Sequence, residues 1–451
     1  HKTVGKKDTN FLFSLYDKNI NIKKRLFVTA TPKTININKK NSYGEFLYSS
    51  MDDKSIYGKR CHNLLFSEAV KKNIICDYRL VVSVITNQDI DRAGLKIGDV
   101  RIKNNLVRAT QVAHQIALKN AIRKLGLKKI FTFHGSIGAA KSFVSSGPEG
   151  IQSHIGNLDC FHVNGSMTSS IRESILYDFS KSKKGLVSNA RCLTEGVNLP
   201  SIDCVSFIDP RKSKVDIVQA AGRAMRKAGS QKKYGYIFVP LYIQSKNQET
   251  VEQVAEDSDF HQIIEVVNAL REHDNDLNEA ISLMGIKKGE NVKGYATSKA
   301  FAGKINFIGP SFSLRKLNKA ISIKIADKLF NSWDVNYGKL KYYVKLYGTS
   351  VVPQNLIFQG VNLGRWVSRN RQLFNRGTLS DEHYQKLNNL KGWVWDVKDA
   401  QWFDTYNCVI DYLKVYPNKD ANIAREVVHN NVRIGQWLMV QRQAYRGNGS
   451  F

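Results

Sequence analysis

Through roughly the first 245 residues, short β-branched and aromatic runs alternate with helical stretches, and this alternation constrains the fold more than any other feature. The runs are Arg25–Thr29, Arg79–Ile85, Lys129–Phe133, Cys160–Val163, Gly185–Ser188, Cys204–Ile208 and Tyr234–Val239. Helical stretches lie between them, as in Leu106–Leu125, where apolar residues recur at 112, 113, 116, 117 and 121. Strands and helices in such a series predict an α/β fold with a parallel sheet.

The chain has 451 residues, enough for about three domains, and 42% are hydrophobic, which excludes a disordered chain. No apolar run approaches the ~18 residues of a membrane span. Lys and Arg exceed Asp and Glu by 68 to 39, a formal charge of +29 that calls for an acidic partner, of which a phosphate backbone is the commonest. The six cysteines, at 61, 76, 160, 192, 204 and 408, form no Cys-x-x-Cys pair, and a reducing, cytoplasmic setting fits them. The histidines at 134, 162, 261, 273, 383 and 429 show no metal-ligand spacing, so no metal site is expected of them.

Two composition shifts divide the rest. Residues 249–279 hold ten acidic residues against Arg271 alone, with Phe260, Ile263, Ile264, Val267 and Leu270 at helical spacing. That pattern predicts an acidic, solvated connector helix within 246–300. From 301 onward lie all six tryptophans, at 333, 366, 393, 395, 402 and 437, and a net charge of +12. Leu363-Gly364-Arg365-Trp366-Val367 recurs as Ile434-Gly435-Gln436-Trp437-Leu438, an offset of 71 that also relates Arg371 to Arg442. A fixed period predicts a repeated structural unit.

The chemistry concentrates in Gln219-Ala-Ala-Gly222-Arg223-Ala-Met-Arg226, whose spacing places Gln219, Arg223 and Arg226 near one helix face. Two such arginines suit phosphate oxygens, because each guanidinium is a fixed fork of donors. Upstream, Thr194-Glu195-Gly196-Val197-Asn198-Leu199-Pro200 follows the run Gly185–Ser188, where α/β sheets place their ligands.

Together these two segments resemble motifs V and VI of superfamily 2 helicases. Leu26-Phe27-Val28-Thr29-Ala30-Thr31-Pro32 is similar to motif III, and Phe131-Thr132-Phe133-His134 to motif IV. Val163-Asn164-Gly165-Ser166-Met167-Thr168 with Arg172 resembles the next nucleic-acid-contacting segment, and Phe66-Ser67-Glu68-Ala69-Val70 through Asp77-Tyr78-Arg79 the stretch joining two motor lobes. Trp333, Tyr343, Pro353, the Leu363–Val367 run, Arg371 and Trp393-x-Trp395 resemble a helicase-associated domain, with a second copy around Gly435, Trp437, Gln441, Arg442, Tyr445 and Arg446. The order of these motifs points to the DEAD/DEAH-box and type III restriction-like group.

The resemblance implies RecA-like parallel-sheet lobes, the first incomplete (1–78) and the second complete (79–245), then the acidic connector (246–300). Small all-α bundles follow at 301–398 and 399–451. It also implies that His1 is the last residue of an Asp-Glu-Ala-His box. The Asp-Glu pair that holds Mg²⁺ and the phosphate loop would then precede residue 1, and the chain alone would turn over ATP poorly. ATP would meet Gly196, Asn198, Arg223 and Arg226, with Gln219 contacting the nucleotide and Thr29, Ala30 and Thr31 coupling hydrolysis to lobe closure. DNA or RNA would lie along His134, Gly165, Ser166, Thr168, Arg172 and Thr194, and along Arg365, Arg371 and Arg442 of the bundles. Arg371 and Arg442 have a second reading, as braces on backbone carbonyls. The expected activity is that of an ATP-dependent helicase or translocase. The alternatives are a nucleic-acid-binding module without hydrolysis, and the motor of a restriction or defence system partnered by a nuclease or methylase subunit.

Overall fold

The computed structural model describes residues 5–6, 10–17, 19–29, 32, 48–86, 104–147, 150–190, 192, 202–210, 213–227, 232–243, 260–296, 299–309, 314–417 and 422–447. They form two compact units, residues 1–284 with 294–330, and residues 285–293 with 331–451.

Seven strands build the sheet of the first unit: β1 Asp77–Thr86, β2 Lys129–His134, β3 Asp159–Asn164, β4 Gly185–Ala190, β5 Cys204–Phe207, β6 Tyr234–Ile243 and β7 Ile305–Ile308. Their order is β3-β4-β2-β5-β6-β1-β7, and every neighbouring pair is parallel. All six residues of β4 are buried, as a strand covered on both faces requires. The pleat sorts side chains into two cores. Leu80, Val82, Val84, Phe131, Phe133 and Val187 lie on one face, and Val81, Ile85, Ile130 and Leu186 on the other.

Helices α1 Asn104–Leu125 and α2 Ile137–Phe143 cover the second face. The first face carries α3 Ser169–Lys181, α4 Lys214–Ala224, α5 His261–Arg271 and α6 Leu314–Leu329.

Three expectations need correction here. Arg25–Thr29 has no regular structure: Leu26 and Val28 are 77% and 84% exposed, and no described strand offers the run a ladder. Arg25 instead ties up a loop, pairing with Asp17 at 2.6 Å and donating to the Ser14 and Ile20 carbonyls. The acidic stretch is not a solvated connector throughout. Ile263, Val266, Val267, Ala269 and Leu270 bury one face of α5 in the same core as α4, and Asp274 is itself buried, paired with Lys304 at 3.2 Å. The first bundle begins near 331 and not at 301, because Ile305–Ile308 pairs with β1 as an edge strand and α6 packs into the sheet's core.

The second unit contains α7 Ser332–Tyr347, α8 Leu363–Asn375, α9 Asp381–Asn388, α10 Val397–Val415 and α11 Ile434–Tyr445. The repeat is visible atom by atom. Trp333 and Trp366 lie 5.5 Å apart at 56°, and Trp402 and Trp437 lie 5.3 Å apart at 59°. Trp333 stacks on Tyr337 as Trp402 stacks on Tyr406. The Trp333 indole donates to Asn370 Oδ1 at 2.9 Å, and that of Trp402 to Gln441 Oε1 at 2.8 Å. A Cβ on Gly364 would stand 1.9 Å from the Pro353 carbonyl oxygen, and one on Gly435 1.8 Å from that of Ala424. Helix and loop meet backbone to backbone at both places, which only glycine permits. Each copy also turns through two left-handed residues, Gln359-Gly360 in the first and Asn430-Asn431 in the second.

Candidate nucleotide and nucleic-acid sites

Helix α4 starts behind the C-terminal end of β5, capped by Ser213, whose hydroxyl accepts from the Asp216 amide at 3.3 Å. Ile217, Val218, Ala220, Ala221 and Ala224 bury its inner face. Gln219 is half-buried, and Arg223 is 8% exposed. The helix ends at Ala224, so Arg226 stands in the exposed turn that follows and not on the helix face that the spacing predicts. Its amide still closes that turn on the Arg223 carbonyl at 3.3 Å. Burial, and then the positive charge of Arg226, push the Arg223 guanidinium below its usual range.

Three residues that the motif does not contain hold this turn. Lys232 Nζ donates to the carbonyls of Ala224 at 2.5 Å, Arg226 at 3.1 Å and Ile202 at 2.6 Å. An ammonium there satisfies carbonyls that a helix C-terminus leaves without partners. The Cys76 amide and thiol both donate to the Met225 carbonyl, at 2.9 and 3.2 Å. Gly235 lets β6 run directly past Ala224, where a Cβ would stand 2.3 Å from the carbonyl oxygen. Cys76 comes from a segment some 150 residues away, so no local pattern announces it.

A second site lies at the C-terminal ends of β3 and β4. Asn164 Oδ1 accepts from the Ser166 amide at 2.9 Å and the Ser166 hydroxyl at 2.5 Å. Its Nδ2 donates to His162 Nε2 at 3.0 Å, which fixes the other ring nitrogen as the donor to Ser188 Oγ at 2.9 Å. His162 is thus neutral, and burial followed by the nearby Lys141 charge lowers its pKa. The turn it supports exposes Gly165, Ser166 and Thr168, and Thr168 caps α3 by accepting from the Ile171 amide at 3.4 Å. Arg172 folds back on this turn, donating to the Met167 carbonyl at 2.7 Å and to Ser169 Oγ at 3.2 Å.

His134 is 2% exposed and meets Thr132 Oγ1 at 2.9 Å and the Phe143 ring at 4.8 Å, so it braces the end of β2 and presents no face to a strand. Beside it, Asp209 Oδ2 accepts from the Gly135 amide at 2.8 Å. Thr29 is half-buried. His1, Ala30, Thr31, Thr194, Gly196 and Asn198 lie outside the described residues. No group of three or more His, Cys, Asp or Glu side chains able to hold a metal occurs among the described residues.

In the bundles, Arg371 is a brace. Its guanidinium donates to the carbonyls of Val394 at 2.9 Å and Ser350 at 3.4 Å and lies 4.7 Å from the Trp393 ring centre. Arg442, at the equivalent place in the second copy, is half-buried as well. Arg365 is exposed, and with Arg369 and Arg376 it lines a cavity of 370 Å³.

The helicase conserved C-terminal domain family matches residues 116–228, and the helicase associated domain family matches residues 331–396. A DEAD-box ATP-dependent RNA helicase of Arabidopsis thaliana is 22% identical over 194 residues, which cover 42% of this chain and 32% of that protein. A probable helicase of African swine fever virus is 25% identical over 240 residues, 51% of this chain and 24% of the viral protein. The solved structure of the ATP-dependent type ISP restriction-modification enzyme LlaBIII bound to DNA shares the fold with a TM-score of 0.54 at 22% identity, over 86% of this chain and 29% of that one. The chain therefore spans about a third or less of each of these proteins.

Fold and matches place a helicase conserved C-terminal domain on the RecA-like sheet and a helicase associated domain in the first bundle. The fold is one that the restriction-modification enzyme also has. No helix of the described residues is long and apolar enough to cross a membrane.

Proposed function

We propose that this chain is part of an ATP-driven motor that unwinds nucleic acid or moves along it. The observation that supports this best is Arg223, a buried guanidinium with a second cation, Arg226, beside it, where α4 ends near the starts of β5, β6 and β1. Like charges held together in a partly dry site are relieved by a polyanion, and a triphosphate's spread oxygens match two arginine forks. ATP, when bound, supplies the phosphoanhydride whose hydrolysis drives the cycle. Arg223 and Arg226 would hold its outer phosphates, and Gln219 would contact the nucleotide from one turn earlier. Gly196 and Asn198 belong to the same site in this reading, and Thr29, Ala30 and Thr31 to the coupling between lobes. The exposed Gly165, Ser166 and Thr168 would meet a nucleic-acid backbone at the turn before α3, and Thr194 would serve the same strand. Arg172 acts there by bracing the turn.

The test is nucleic-acid-stimulated ATP turnover by the protein that carries this chain. Arg226→Ala is expected to lower turnover by about a thousandfold, the lower range for an arginine finger, while nucleic-acid binding persists. Unchanged turnover would sink the assignment. A second reading, a DNA-translocating motor that works with a nuclease or methylase, is supported by the fold shared with the restriction enzyme over 86% of the chain. Stimulation by duplex DNA and not by RNA would favour it. Binding with no turnover in the unaltered protein would leave a nucleic-acid-binding module.

A further inference from the structure

Helix α8 buries Leu363, Gly364, Val367 and Asn370 and turns a different chemistry outward. Arg365, Arg369 and Arg376 line the 370 Å³ cavity together with Gln354, Ser368 and Gln372. At 100° per residue, the three arginines fall within an arc of about 40° and spread over ~16 Å of axis. No carboxylate lines the cavity, and no ion pair among the described residues engages any of the three guanidiniums. Every polar group present is a hydrogen-bond donor or can serve as one. Packing explains none of this, because Arg371 alone faces inward to brace the bundle.

The second copy shows what the same helix looks like without that chemistry. At the offset of 71 that aligns the two cores, Arg365, Ser368, Arg369, Gln372 and Arg376 become Gln436, Met439, Val440, Gln443 and Gly447. The scaffold is retained and all three charges are gone.

We propose that the first helicase-associated bundle, and not the second, grips a phosphodiester backbone through Arg365, Arg369 and Arg376. A row of forked cations with neutral donors between them matches successive phosphates and reads no base, so the contact is independent of sequence. The inference rests on the reading of the chain as directed to nucleic acid, but it needs neither ATP nor the arginines of the motor lobe.

The experiment measures binding of the full chain to a labelled 30-base-pair duplex and a 30-nucleotide single strand, without nucleotide, across a salt series. Arg365→Gln, Arg369→Gln and Arg376→Gln combined should weaken binding about tenfold or more and lower the slope of log K against log salt by about three, one per phosphate contact. The loss should be equal for unrelated base sequences. Gln436→Arg with Val440→Arg should raise affinity and steepen the slope, a gain that a merely misfolded variant cannot produce. An unchanged slope in a triple variant with unaltered melting overturns the proposal. So does loss of binding to poly-glutamate with nucleic-acid binding intact, which would make the groove a site for an acidic protein. Binding is read without nucleotide and ATP turnover is read separately, so failure of the ATPase reading and failure of this one are distinguishable.

Discussion

The two bundles of the second unit share a frame and differ in surface. Their Trp–Trp geometry, indole-to-amide hydrogen bonds, left-handed turns and close glycine contacts agree almost atom for atom. Yet one outer helix carries three exposed arginines and the other none at the same positions. The comparison teaches that about six residues specify this small fold and leave the solvent face free for another task. It also separates two kinds of arginine. Arg371 belongs to the frame, and Arg365, Arg369 and Arg376 belong to the surface.

The largest expected effect strikes the frame in both copies. Gly364→Ala and Gly435→Ala each force a Cβ into a backbone carbonyl, and each should destabilise its own bundle by about 3 kcal/mol, the upper end for overpacking. Hydrogen exchange of α8 and α11 would report it, and a large loss in only one copy would break the equivalence. Next is Arg371→Ala, which removes two carbonyl contacts and a ring contact. About 2 kcal/mol should be lost from the first bundle, with no change in the salt slope of nucleic-acid binding. A reduced slope with unchanged stability would return Arg371 to the surface class.

The smallest effect is a loss of stability on acidification expected in the first copy. His383 stacks on Trp333 with ring centres 3.7 Å apart, and burial holds its pKa below the usual 6.5. A base depressed in the folded state leaves stability intact above its unfolded pKa and reduces it as pH falls through 6.5 towards the folded value. Protection of α7 should therefore decline slightly between pH 7 and 5, and His383→Phe should flatten the decline.

Much of the first unit can be read from the chain. Six apolar runs became strands because each is short, β-branched or aromatic, and bounded by turn residues. Ile305–Ile308 was missed because four residues after an acidic stretch carry too little pattern, and its strand state depends on β1 as a neighbour. Arg25–Thr29 misled for the converse reason: the composition of a strand is there, but no described partner is. At the sites, Gln219 and Arg223 were readable by spacing, and Gly165 and Ser166 only through the resemblance. Lys232, Cys76 and His162, which hold those segments in place, were not.

By itself, then, the sequence determined the parallel α/β lobe and the repeated bundle, because both rest on local periodicity or on a fixed offset, while most motif residues rest on the resemblance. Tertiary structure alone decided which cations face solvent and which serve as internal donors. His134 and Arg172, expected at a ligand, and Arg371, read as a ligand contact or a brace, engage the protein's own backbone and side chains. Arg365 shares their chemistry and stays outside. The physical reason is that a guanidinium or imidazole serves equally well on a phosphate and on a carbonyl, and only the neighbours that folding supplies choose between them.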